Sequence, residues 1–302
     1  TVATGGALTV VEDSSSPSYK LAASGTTGVT LGALRFNGTN EDMRLDRVGL
    51  QMSNSYASSS PDNLTQVTLW DGATQVGTAL FAGSRYATST LSSTVTIPAN
   101  GFKVITVKGD LAAIGTNMAT TSNGILIEVD FDAHDTTGTR AVGLSSGSTI
   151  NHSSSADTDV DGVRVFRAYP TAVTLLNSGQ TTTLTAGTNT LYRFSVTSSN
   201  TGLGIGLNQL TINLATSTAT STDLKLYAYT DAAMSQAANG AATDGQVGST
   251  ISLPVSGNNK FTFGTTELQI SAGTTLYFKV TGTVTITATT GSSQVSAKLM
   301  GD

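Results

Sequence analysis

Three aspartates stand at alternate positions, Asp157, Asp159 and Asp161, and Gly162 follows them. A calcium loop opens this way. The hard cation takes six to eight oxygens, and a glycine after the third carboxylate permits the sharp turn that lets them converge. The match then stops. The last ligand position of such a loop would fall on Ala168, where a bidentate glutamate is required, so this is no complete EF-hand loop. Asp130, Asp132 and Asp135 are further carboxylates that could complete a cation site from elsewhere in the chain. Two readings stay open: a structural calcium that stiffens the segment, and a solvated acidic turn. Calcium is the one cofactor the residues raise.

Other chemistry is thinner. His134 and His152 are the two histidines, and neither has a second histidine at zinc-ligand spacing. The absence of cysteine removes thiolate metal sites, disulfides and a cysteine nucleophile. Glu41 and Asp42 are adjacent, so on a strand they point to opposite faces and do not form a glycosidase pair. No constellation fills the roles a catalytic site needs, and the expectation is that the chain is not an enzyme. Trp70, Tyr86, Tyr192, Tyr227, Tyr229 and Tyr277 could form a sugar-stacking platform, although a lone tryptophan commonly packs in a core or at a sheet edge. Strand parity sets Trp70 opposite Leu69 and with Thr68, on a surface face. Asn37, Asn63 and Asn151 head Asn-x-Ser/Thr glycosylation sequons.

The elements that must carry these residues are strands. In 302 residues, a length that suggests about two domains, only 12% are charged and 38% are hydrophobic. Val, Ile and Thr recur in alternating runs that suit a pleated, half-buried surface. Val48, Leu50 and Met52 alternate as one inward face. Val67 and Leu69 do the same before an Asp71-Gly72 hairpin signal. With a net charge of −5 and scattered basic residues, nucleic acid is not an expected partner. No stretch is long and apolar enough for a membrane helix, and no charged-then-apolar leader opens the given chain.

The second half repeats the first. Leu191 to Val196 stands where Leu31 to Phe36 stood, Leu210 to Leu214 answers Val48 to Met52, and Leu224 to Tyr227 answers Val67 to Trp70. Gln246 to Ser249 answers Gln75 to Thr78, Ile270 to Gly273 answers Ile97 to Gly101, and Leu276 to Gly282 answers Val104 to Gly109. The second copy carries an insertion, Asp231 to Asp244. The expected fold is all-β: two tandem antiparallel, immunoglobulin-like β-sandwich domains related by internal repeat. Their expected bounds are 1–156 and 171–302, with a junction over 157–170.

The blocks from Val67 to Gly77 and from Ile97 to Gly109 resemble the tandem β-sandwich modules of prokaryotic surface-layer and extracellular filament proteins. That resemblance implies an extracellular, self-assembling structural role. The leading expectation is a subunit of a filament or surface layer whose partners are copies of itself. Head-to-tail contacts would join them. Leu8, Val10 and Val11, on a strand behind the flexible Gly5-Gly6, are the expected subunit contact, either as the first strand of domain one or as a strand donated to a neighbour. The alternative is a monomeric cell-surface adhesin or carbohydrate-binding module with glycans as partners.

Overall fold

A computed structural model of the chain describes residues 5–53, 58–115, 123–154, 156–176, 184–199, 204–264, 267–287 and 292–301. The chain divides into two compact units, Thr1–Arg167 and Ala168–Asp302. Unit 1 contains β1 (Ala7–Glu12), β2 (Lys20–Ala23), β3 (Val29–Thr39), β4 (Met43–Met52), β5 (Leu64–Asp71), β6 (Thr74–Ala79), β7 (Tyr86–Ile97), β8 (Phe102–Leu111), β9 (Ile125–Ile127), β10 (Val129–Phe131), β11 (Arg140–Gly143), β12 (Thr149–Asn151) and β13 (Val163–Phe166). Unit 2 contains β14 (Pro170–Leu175), β15 (Gly187–Ser198), β16 (Ile205–Leu207), β17 (Gln209–Ser217), β18 (Ala219–Tyr229), β19 (Gln246–Ile251), β20 (Gly257–Thr262), β21 (Leu268–Ile270), β22 (Thr275–Ile286) and β23 (Gln294–Leu299). The fold is all-β, and each unit is a sandwich of antiparallel sheets, with one parallel strand pair, β2 and β13, in unit 1. No described helix is long and apolar enough to cross a membrane.

One sheet of unit 1 has the order β1-β3-β8-β5-β6, and the corresponding sheet of unit 2 has the order β14-β15-β22-β18-β19. The two orders are the same, strand for strand, and the repeat extends to irregularities. The β3–β8 ladder shifts register between Thr30 and Gly32, which leaves Leu31 as the extra residue. The β15–β22 ladder shifts between Thr190 and Tyr192, which leaves Leu191. Each bulged leucine folds over a glycine on the partner strand. A Cβ on Gly109 would stand 2.7 Å from Leu31 Cδ1, and one on Gly282 3.0 Å from Leu191 Cδ1. Both places require glycine because a backbone and a side chain meet there.

The second layer of unit 1 centres on β4, with β7 on one edge and β10 and β11 on the other; β12 continues the sheet from β11. Between the layers lie Leu34, Phe36, Val48, Leu50, Leu69, Val107 and Phe131, all fully buried. Val48 and Leu50 face inward as alternation requires. In unit 2, β17 takes the place of β4 between β20 and β23. Its core centres on Phe194 and Phe278, stacked at 4.8 Å, with Ile212, Leu226 and Val280 around them.

Two expectations about organisation meet the structure differently. Most of the expected junction, 157–170, is built into unit 1: β13 pairs in parallel with β2 and antiparallel with β9, and Val160, Val163 and Val165 are buried. These apolar residues find cover on unit 1, so the unit boundary moves to Arg167. The insertion at Asp231 to Asp244 does lie at the β18–β19 hairpin, where it runs along the end of β18. Ala238 N donates to Ala228 O at 3.0 Å, and Thr230 N to Gln236 O at 2.9 Å.

Candidate functional site

The acidic residues expected at 157–161 meet a second acidic run, Glu128 to Asp132. Phe131 and Thr158 form an antiparallel bridge, which brings the two segments side by side. Val160 N donates to Asp130 Oδ1 at 3.0 Å. Ala133 N donates to Asp157 Oδ1 at 2.9 Å, and His134 Nδ1 contacts the same oxygen at 3.1 Å. His134 N and Asp135 N both donate to Asp132 Oδ1. The ligand atoms of Asp132, His134 and Asp157 all lie within 4.8 Å of one another. Gly162, at φ +77°, turns the chain from this segment into β13.

Asp130 is the unusual member. It is 0% exposed, and its Oδ2 has no hydrogen-bond partner. Burial pushes its carboxyl up to about 7, and the nearby charges of Asp159, Glu128 and Asp157 add to the rise. Glu128 is also raised, by burial first and then by Asp159 and Asp161. Asp159 and Asp161 themselves are exposed. Asp135, expected as a further ligand, instead closes a local turn. Its Oδ1 accepts from Thr137 N at 2.9 Å and from Thr137 Oγ1 at 2.8 Å. His152 is a buried core residue, edge-on to Phe131 at 5.0 Å.

Glu41 holds structure. Its Oε1 accepts from Gly6 N (3.0 Å) and Ser146 Oγ (2.8 Å), and its Oε2 from Ser145 N (3.1 Å) and Ser146 N (2.9 Å). These bonds, those from Ser146 foremost, hold its carboxyl below the ordinary 4.5. A lowered folded-state value means the contribution is present above the ordinary value and lost as pH falls through the folded one. Glu41→Gln should therefore lower the melting temperature of unit 1 at pH 7, and the difference from wild type should shrink as pH falls from the ordinary carboxyl value through the lower folded-state one. Thermal unfolding followed by circular dichroism across that acidic range reads this, and a gap that stays constant with pH would count against it. Asp42, on the other side of the chain, accepts from Ala99 N at 2.7 Å.

The remaining candidates separate. Trp70 does lie on the outer face, its Nε1 donating to Thr68 Oγ1 at 2.9 Å, and Lys108 Nζ stands 4.1 Å from its ring centroid. Lys279 lies over Tyr227 and Tyr229 in the same way, at 4.9 and 5.3 Å. Tyr192 packs on Phe194, Tyr277 is paired opposite Ser195 and Tyr229, and Tyr86 is exposed beside His134 and Asp135. They do not form one platform. Asn151 is exposed and Asn37 half-buried. Asn63 is only 7% exposed, and its Oδ1 accepts from Ser60 N in the cap of the 3-10 turn Pro61–Asn63, so a glycan has no place there.

Of the two readings of the N-terminal strand, the structure has the first strand of domain one, so Leu8, Val10 and Val11 belong to a core element rather than to a free subunit contact. β1 pairs with β3 from Ala7 to Glu12, and Leu8 and Val10 are 0% and 3% exposed, with Val11 outward at 44%. The 152–154 segment closes its flank: Ser153 N donates to Leu8 O, and Val10 N to Ser154 Oγ, both at 2.9 Å. Burial of two aliphatic side chains outweighs the mobility that a Gly-Gly start suggests.

Among the described residues, the equivalent side of unit 2 is open. Val173 pairs with Val196 and Leu175 with Phe194. Directly opposed residues share a face, so Val173 and Leu175 extend the core face of the sheet. Yet they are 55% and 45% exposed. In unit 1 that flank is closed by β12, with Ile150 inward, and by the 152–154 segment. Among the described residues of unit 2, β23 ends its layer with no strand beyond it, and Val295, Ala297 and Leu299 are half-buried. The strand itself does not reveal this flank, because β14 carries the same alternation, Ala172-Val-Thr-Leu175, as β1 does in Ala7-Leu-Thr-Val10.

No protein-family model matches the chain, and no curated protein does. Solved structures give faint likenesses. One, of manganese lipoxygenase of Gaeumannomyces graminis with part of zonadhesin of Komagataella pastoris, is 14% identical over 97% of this chain and 93% of that chain, at a TM-score of 0.17. A chaperone–tip adhesin complex of CFA/I fimbriae biogenesis is 8% identical over 96% of both, at 0.23. The collagen adhesin of S. aureus is 11% identical over 98% and 95%, at 0.15. At such TM-scores these likenesses carry no argument about the role of this chain.

Proposed function

We propose that the chain is a structural subunit of an extracellular, self-associating assembly, in which the open flank of unit 2 receives an extended strand from a second copy. The observation behind this reading is the apolar shelf of Val173 and Leu175, continuous with a core yet uncovered. Unit 1 contains the same flank closed by a short strand with one inward aliphatic residue, Ile150, so a segment of this sequence has the chemistry the flank asks for. An unpaired strand edge beside exposed apolar residues invites pairing, and a designated partner strand would satisfy both. A donor surface unlike the acceptor makes the contact heterologous, and such contacts extend into filaments or sheets when the rotation does not close. Low charge and abundant Thr and Ser suit close packing of copies. A monomeric adhesin is the competing reading. Lysine already lies over the Trp70 ring, so a sugar would need another surface.

Electron microscopy and sedimentation of the purified chain test this. Wild type should form ordered polymers, and the Val173→Asp, Leu175→Asp variant should remain monomeric with an unchanged melting curve, because both side chains are exposed in the single copy. Polymers that persist in the variant would refute the flank as the contact. Wild type that stays monomeric at millimolar concentration would favour the adhesin.

A further inference from the structure

The acidic face of unit 1 holds a charge its own side chains do not balance. Six carboxylates, those of Glu128, Asp130, Asp132, Asp157, Asp159 and Asp161, come together along two bridged segments. A cluster of acids on a surface would merely be solvated. This one has a member that water does not reach. Asp130 is fully buried, one of its oxygens accepts a single backbone N–H, and the other has no partner. Whether ionised or protonated, that oxygen lacks the hydrogen bond that buried polar atoms nearly always make. The groups it faces, Asp159, Glu128 and Asp157, are acids as well.

We propose that unit 1 binds a hard divalent cation, calcium, between the Glu128–Asp132 and Asp157–Asp161 segments, with Asp130 as its buried ligand and Asp159 and Glu128 closing on it. The donors are oxygens, which is what calcium selects. A cation would satisfy the unpaired oxygen and turn mutual repulsion of the acids into attraction. Backbone hydrogen bonds already hold the two segments together through Asp130 and Asp157, and the carboxylates of Asp159 and Glu128 would move in to meet the cation. Asp132, His134 and Asp157 are spaced for a metal too, but a nitrogen ligand suits borderline metals better. That group provides the internal control. The inference concerns unit 1 alone and does not depend on the assembly reading, whose contact lies in unit 2.

Calorimetric titration of the chelator-stripped full chain with calcium chloride, in parallel with thermal unfolding, tests the site. Wild type should bind one calcium, and the unit 1 transition should rise with calcium concentration, since a ligand that binds only the folded state stabilises it. Asp159→Asn, at an exposed position, should fold normally and lose about tenfold or more in affinity. Asp130→Asn should lose binding, and in chelator it should melt no lower than wild type, because a charge is removed from among acids. His134→Ala should bind within about twofold of wild type, the oxygens being the ligands. No heat of binding in wild type at millimolar calcium would overturn the proposal. So would wild-type affinity in both aspartate variants, or binding lost in His134→Ala and kept in Asp130→Asn.

Discussion

Alanine in place of Phe278 is expected to unfold unit 2 far below the wild-type temperature while the unit 1 transition stays where it was. Phe278 is fully buried and stacks on Phe194 at 4.8 Å with an interplanar angle of 11°. Tyr192 leans on Phe194 in turn at 5.7 Å, so removal of the Phe278 ring takes away the face on which Phe194 stacks and loosens the support of Tyr192 behind it. Truncating a buried phenylalanine costs about 3–5 kcal/mol through lost transfer energy and the cavity left behind. The aromatic pair adds about 0.5–1.5 kcal/mol that burial alone does not capture. Against a domain stability of about 5–15 kcal/mol, that loss removes a large share. The cores of the units are separate clusters, with Phe36, Leu50 and Phe131 in one and Phe194, Phe278 and Val280 in the other. Differential scanning calorimetry should therefore show one transition displaced and one fixed. Equal displacement of both would mean that the units unfold as a single cooperative body, and the two-core description would fail.

How far the sequence carries depends on how local each cause is. Alternation places Val48, Leu50, Val67 and Leu69 inward because side chains on a strand alternate faces whatever lies beyond. The repeat is legible through six blocks because each block is one strand or turn with its own signals, and the matching sheet orders follow from it. The same parity assigns Trp70 its outer face. The failures are long-range. Nothing in Leu8, Val10 and Val11 says whether the strand stays home; the answer lies in the partners supplied by Phe36 and by the segment 152–154. Asp130 sits between Val129 and Phe131, so alternation turns it to solvent. Both faces are covered there because Asp157 to Val160 returns across the sheet. The Asp157-x-Asp159-x-Asp161 spacing marks a segment that meets Glu128 to Asp132, but the buried Asp130 comes from a distant strand, and spacing alone cannot choose Asp130 over Asp135. The Asn63 sequon fails for a related reason: the same amide that reads as a glycan acceptor caps a turn.

Alanine at Gly162 should damage unit 1 more than the same change at any open glycine. Gly162 has φ +77°, a region that costs an L-residue about 1–2 kcal/mol by itself. Gly147 has φ +70°, and a Cβ there would meet nothing within 4 Å. The backbone penalties are alike, so the contrast isolates packing. A Cβ on Gly162 would stand 2.5 Å from Glu128 Cγ and 2.7 Å from Ile127 O. The glutamate can rotate away, but the carbonyl belongs to β9, which is paired with β13 from Val163 onward. Relief then requires either a break in that pairing or displacement of the turn that leads out of Asp161. Gly147→Ala should lower the unit 1 transition slightly, in line with the backbone cost. Gly162→Ala should lower it by clearly more, and it should also weaken calcium binding at the proposed site, because Glu128, one of its proposed ligands, is displaced. Equal melting temperatures for the two variants would show that the contact at Ile127 is relieved without cost. In that case Gly162 would be no more than a turn residue, and the acidic segment would not be held against β9 and β10 as tightly as its hydrogen bonds imply.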